Sequence, residues 1–147
     1  MGISPIRKGE IVVASKNGGT FGFTSGQVVQ EFGFDDDVDE TLRTAISQVT
    51  GCDLVDEDYD DVVDGALIWW RDDDGDVDDL IDVLVDAQAN LDGAGFIWVL
   101  SPKARTEGAI DPFMVEEAAQ ISGMHATSAA AMGDAWSGIR IQSGRRA

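Results

Sequence analysis

The chain has 147 residues, 44% of them hydrophobic, and a formal net charge of −18. That is one ordinary domain with enough apolar side chain to bury a core without disulfides or metal, so a disordered chain is excluded. The charge is concentrated: residues 31–92 hold 22 of the 28 acidic residues against Arg43 and Arg71 alone, a net of −20, whereas residues 93–147 carry five of each sign.

Residues 1–24 read as an arm or a short hairpin, with 11–14 as a strand and Asn17-Gly18 as the turn. Residues 25–147 read as a single α/β domain. A strand is predicted over 27–34, beginning after Gly26. Asp37 and Glu40 then have capping-box spacing ahead of Val38, Leu42, Ala45, Ile46 and Val49, which recur at helical period until Gly51. Asp53-Leu54-Val55 is at most one short strand.

The run from Gly65 to Trp70 is apolar at every position, which predicts a strand buried on both faces, as a parallel sheet requires. After the acidic loop 72–76, Val77, Leu80, Ile81, Leu84, Val85, Gln88 and Leu91 mark an amphipathic helix stopped by Asp92-Gly93. Residues 94–100 form a second two-sided strand. Asp111-Pro112 supplies a cap and a first-turn proline for a third helix. Residues 125–132 and 136–143 pair as an antiparallel hairpin around Gly133-Asp134-Ala135.

Alternation of strand and helix predicts a Rossmann-like three-layer sandwich, α/β, with a mostly parallel sheet and a C-terminal antiparallel hairpin. The outline matches methyltransferase sheets, an analogy that concerns the fold alone.

The motifs resemble an uncharacterised bacterial family, domain-of-unknown-function family 3052. The resemblance is carried by Gly26 to Asp37 (GQVVQEFGFDDD), Asp56 to Asp64 (DEDYDDVVD), Leu67 to Asp72 (LIWWRD), Ile97 to Lys103 (IWVLSPK) and Trp136-Ser137-Gly138. It covers about residues 25–143 and implies an α/β fold in a cytoplasmic protein. It departs at Phe21-Gly22-Phe23-Thr24-Ser25, where the family leads in with a helical segment, and it implies no catalytic residues.

The acidic block repels nucleic-acid phosphates and anionic membranes, which excludes both as partners and directs expectation to a basic protein. Cys52 is the only cysteine, so no intrachain disulfide forms. With no leader sequence visible, the expected location is cytoplasmic. The longest apolar run is too short to span a bilayer. No cofactor is expected. The turn Phe32-Gly33-Phe34-Asp35-Asp36-Asp37 offers one glycine and three carboxylates where a dinucleotide needs a glycine-rich cradle. It also lacks the glycine-rich passage that S-adenosylmethionine needs. Asp72-Asp73-Asp74-Gly75-Asp76 fails as a calcium loop, because Trp70 and Ile81 fall at positions that must donate oxygen. His125 is the single histidine, so a zinc site is not expected.

In open α/β sheets, ligands bind beyond the carboxyl ends of the strands. Those ends carry Phe34, Asp35 and Asp36, then Trp70, Arg71 and Asp72, then Ser101, Lys103 and Arg105, which together form the candidate binding rim. The expected function is a non-catalytic binding or regulatory module that engages a basic protein through its acidic face. The alternative is a small-molecule-binding or degenerate methyltransferase-like domain using the same rim. The alanine-rich stretch 127–132 on an edge strand makes a homodimer possible.

Overall fold

The computed structural model describes residues 21–143. The strand and Asn-Gly turn expected within the first 20 residues lie outside the described residues. Eight main elements follow in order: β1 (Val29–Phe32), α1 (Glu40–Thr50), β2 (Val63–Trp69), α2 (Val77–Asn90), β3 (Leu91–Pro102), α3 (Pro112–Ile121), β4 (Met124–Ala131) and β5 (Trp136–Ser143). A short 3-10 turn, Asp72–Asp74, precedes α2. The strands form one sheet in the order β1-β2-β3-β5-β4. β1, β2 and β3 run parallel, and β5 is antiparallel to both β3 and β4.

The two-sided strands do what their composition predicts. Leu67, Trp69, Phe96 and Trp98 face α1, packing with its Leu42 and Ile46. Ala66, Ile68, Ile97 and Val99 face the other way, against Leu80 and Leu84 of α2 and Val115 and Ala118 of α3. Helices therefore cover both faces, and the fold is a three-layer α/β sandwich. Each fully buried leucine stabilises by about 2 kcal/mol. Packing of this kind, more than intrinsic propensity, holds a helix as short as α2.

Local signals set the ends of the helices, with two differences from expectation. The cap of α1 is Asp39, whose carboxylate accepts from Leu42 N. Asp37 is drawn away to Arg71, and Glu40 reaches Arg43 instead of closing a capping box. Gly51 ends α1 with φ +78°, as its position predicts. α2 is capped by Asp76 with Asp79, and it stops at Asn90, before Asp92-Gly93, because Leu91 already joins β3. Asp111 caps α3, with proline in the first turn.

The end of the expected arm belongs to the core. Phe23 is 1% exposed and stacks on Phe96 at 4.9 Å between ring centroids. Phe21 meets Trp98 edge-on, and its carbonyl accepts from Trp98 Nε1 at 2.9 Å.

The acidic connection after α1 places Val55 alongside β1, on the side away from β2. Glu31 N donates to Val55 O at 2.8 Å, and Val55 N donates to Val29 O at 3.0 Å. The chain thus winds outward from β1 through α1, then crosses back and winds the opposite way through β2, α2 and β3. Right-handed crossovers in opposite directions put their helices on opposite faces, as α1 and α2 are. The reversal falls between β1 and β2.

Candidate functional site

A reversal of winding opens a crevice at the carboxyl ends of the two strands concerned, and α/β sheets bind ligands there. Here those ends are Gly33 to Asp37 after β1 and Trp70 to Asp74 after β2. Arg71 lies between them. Its Nη1 donates to Gly33 O at 2.8 Å and to Trp69 O at 3.2 Å, bridging the two strand ends. Its Nε donates to Asp37 Oδ2 at 3.0 Å, and Nη2 donates to the other oxygen of the same carboxylate. Nη1 also lies 3.3 Å from Asp74, and the guanidinium sits 5.3 Å from the Trp136 ring centroid. The side chain is only 11% exposed, so it fills the crevice rather than lining it.

The Arg71 hydrogen bond to Asp37 holds that carboxyl below its ordinary value of 3.8, outweighing its partial burial. Burial opposes the charge on Arg71, but the bonds to Asp37 and Asp74 raise its pKa overall. The pair is therefore ionised throughout the neutral range.

Outside this plug lies a cavity of about 620 Å³ whose walls include seven carboxylates: Asp35, Asp36, Asp37, Asp72, Asp73, Asp74 and Glu107. Pro102 and Gly108 complete it, and Gly108 O accepts from Asp72 N at 2.9 Å. The potential of a crevice with this charge favours a cationic group over an anionic one. Among the described residues, no three His, Cys, Asp or Glu side chains are grouped so as to hold a metal ion.

A second ion-pair centre stands behind the rim. Glu31 is buried in the middle of β1 and accepts from both Nε and Nη2 of Arg43, each at 2.8 Å. Trp69 Nε1 donates to the same carboxylate at 2.8 Å. Arg43 also reaches Glu40 and lies 4.7 Å from the Phe34 ring centroid. Its pKa is raised, chiefly by the hydrogen bond to Glu31.

The expected rim is brought together in part. Asp35, Asp36, Arg71 and Asp72 line one cavity. Phe34 is exposed and packs against Arg43. Trp70 does not belong to the rim: it is 6% exposed and packs in the core on the α2 and α3 side, because strand alternation turns it away from Trp69 and both faces are covered. Ser101 lines a different groove, beside α3. Lys103 and Arg105 do not line the acidic cavity; Lys103 is half-buried and Arg105 exposed. Glu31, Asp37, Asp74 and Glu107 were not predicted as part of this region. In a block with 22 carboxylates and two arginines, the spacing along the chain carries no signal for which of them Arg43 and Arg71 pair with.

The protein has the Rossmann-like fold of methyltransferases. It is similar to the pyocyanin biosynthetic protein PhzM, with a TM-score of 0.64 and 11% identity over 84% of this chain and 52% of that one. It is also similar to the mitomycin 7-O-methyltransferase MmcR, with a TM-score of 0.62 and 13% identity over 82% and 50%. The chain spans about half the length of those two proteins, and identity this low speaks for the fold alone. In sequence, the chain belongs to the DUF3052 family of proteins of unknown function, which it matches over residues 18–145. It is 40% identical over 137 residues to an uncharacterized protein of Mycobacterium tuberculosis, covering 90% of this chain and 84% of that one. The family match begins ahead of Gly26 and takes in Phe21 and Phe23, the two residues that pack on Trp98 and Phe96 of β3. No described helix is long and apolar enough to cross a membrane.

Proposed function

We propose that this protein is a non-catalytic binding module that takes a cationic segment of a protein partner into the acidic cavity at the ends of β1 and β2. The observation that carries this reading is the filling of the fold's own ligand crevice by Arg71, under a ring of seven carboxylates. Arg71 satisfies Asp37 and Asp74, and the exposed Asp35, Asp36, Asp72 and Asp73 are left to act on lysine or arginine from outside. Charge of one sign in a concave site raises both the association rate and its dependence on salt.

The test compares two variants with equal charge change. One neutralises Asp35, Asp36, Asp72 and Asp73 to asparagine. The other neutralises Asp58, Asp60, Asp61 and Asp86, all exposed and away from the cavity. With a fluorescent lysine-rich peptide at low salt, the first variant is expected to lose roughly tenfold in affinity and the second far less. Equal losses would mean that only net charge matters and would remove the site.

The second reading, a small-molecule or degenerate methyltransferase-like domain, has one observation in its favour. Fold neighbours include a magnesium protoporphyrin IX methyltransferase with bound S-adenosylmethionine, similar at TM-score 0.54. The residues of this chain do not fit that group. The turn after β1 holds a single glycine, and the guanidinium of Arg71 caps the carbonyls at both strand ends. Thermal-shift measurements with S-adenosylmethionine and its demethylated product are therefore expected to leave the melting temperature unchanged. A ligand that binds only the native state at 100 times its Kd would stabilise by about 2.7 kcal/mol, and such a rise would restore this reading.

A further inference from the structure

The two edges of the sheet are treated differently. The β1 edge is sealed by Val55, whose backbone pairs with Val29 and Glu31. Gln30 Nε2 then donates to the carbonyls of Asp56 and Tyr59 at 3.0 and 2.9 Å, fixing that seal. The opposite edge is β4. Its partner is β5, and among the described residues no backbone group pairs with its outer side.

Edge strands in soluble proteins are usually blocked by lysine, proline, inward charge or a covering segment. β4 reads Met-His-Ala-Thr-Ser-Ala-Ala-Ala, with none of these blocking residues, and five of its eight residues are exposed. It carries one irregularity, a register shift between Ala126 and Ser128. Beyond that shift, Ser128 to Ala131 pair with β5 without interruption. Along the same strand runs a groove of about 650 Å³, walled by Ala126, Ala129, Ile110, Pro112 and Ile139. Backbone pairing at this edge would thus come with adjoining apolar surface to bury.

We infer that β4 is a self-association edge: two copies of this chain pair β4 with β4 antiparallel about a two-fold axis, making one continuous sheet. Charge selects a second copy as the occupant. Each chain carries −18, but that excess lies in residues 31–92, mostly in the connections before α1, β2 and α2. The described residues 93–143, which supply β4, β5 and α3, carry three cations against five carboxylates, a net of −2, so two copies meet here with little repulsion. A basic partner is attracted elsewhere. An antiparallel edge about a two-fold is also complementary to itself, since every hydrogen bond it makes is made twice. Alanine and serine side chains let the second strand approach without a clash.

The test is the mass of the full chain in solution by light scattering, with Ser128→Lys/Ala129→Lys as the variant. Both positions are exposed, so the variant should keep its fold, which circular dichroism checks. The wild type is expected at twice 15.7 kDa and the variant at 15.7 kDa. Added salt should strengthen the dimer by screening the two acidic bodies, opposite to its effect on cationic binding at the rim. Amides of β4 should exchange more slowly as protein concentration rises. A wild-type monomer at high concentration and high salt would overturn the inference, and so would a dimer that survives the lysine substitutions.

Discussion

Replacing Glu31 with alanine is expected to destabilise the protein by about 3 kcal/mol, at the lower end of the range for breaking a buried ion pair. In a domain of this size that lowers the melting temperature by roughly 10 °C. Glu31 is 5% exposed, and its carboxylate is the acceptor for three donors: two from Arg43 and the indole N–H of Trp69. Trp69 is fully buried, so its N–H would be left without an acceptor in an apolar layer. Arg43 is about a quarter exposed and can turn to Glu40 and water, which places the cost at the lower end. Glu31→Gln keeps an oxygen for Trp69 but loses the paired charge, and about half the loss is expected. Urea unfolding followed by circular dichroism measures both. A loss for the alanine variant below about 1 kcal/mol would mean the network stabilises nothing beyond an exposed pair.

Gly33→Ala is expected to cost about as much, near 3 kcal/mol, by a different mechanism. Gly33 has φ +75°, a left-handed conformation that alanine adopts at a cost of about 1 kcal/mol. A Cβ built there would lie 2.4 Å from Trp69 O. That oxygen is backbone of β2 and cannot swing aside, so β1 and β2 must separate at their carboxyl ends. The same movement would pull Gly33 O and Trp69 O out of reach of Arg71 Nη1, coupling the strain to the plug. Gly51→Ala is the control: it has nearly the same φ, +78°, with nothing within 4 Å of the added carbon. The difference between the two variants isolates the steric part, about 2 kcal/mol. Equal melting points for the two would show that the strand ends yield freely.

Both predictions concern the same construction. Arg43 and Arg71 are the only cations among residues 31–92, and each is committed to holding strands and turns together. The carboxylates outside those two pairs give the rim its charge. Stability and the proposed binding thus draw on different members of one acidic block. Neutralising Asp35 or Asp72 should leave the fold intact, whereas removing Glu31 should not.

The sequence by itself determined the order of the main strands and helices and the class of fold. Runs such as Gly65 to Trp70 are apolar at every position, a pattern that only a strand covered on both faces can use. The spacing of Val77, Leu80, Ile81 and Leu84, together with Asp111-Pro112 and Gly51, marked helices and their ends through contacts within a few residues. These signals are local, so they can be read in one dimension. Tertiary structure alone decided the rest. Asp37 and Arg71 are 34 residues apart, and Glu31 and Trp69 are 38 apart. In a block with 22 carboxylates, nothing local says which of them an arginine will choose. Trp70 stands next to Arg71 in the chain, yet one enters the core and the other the crevice, because strand alternation and the two helix layers fix which side is covered. The sealing of one sheet edge by Val55 and the placing of β4 at the other were decided by the same cause: the order in which the strands lie, which follows from packing the whole chain at once.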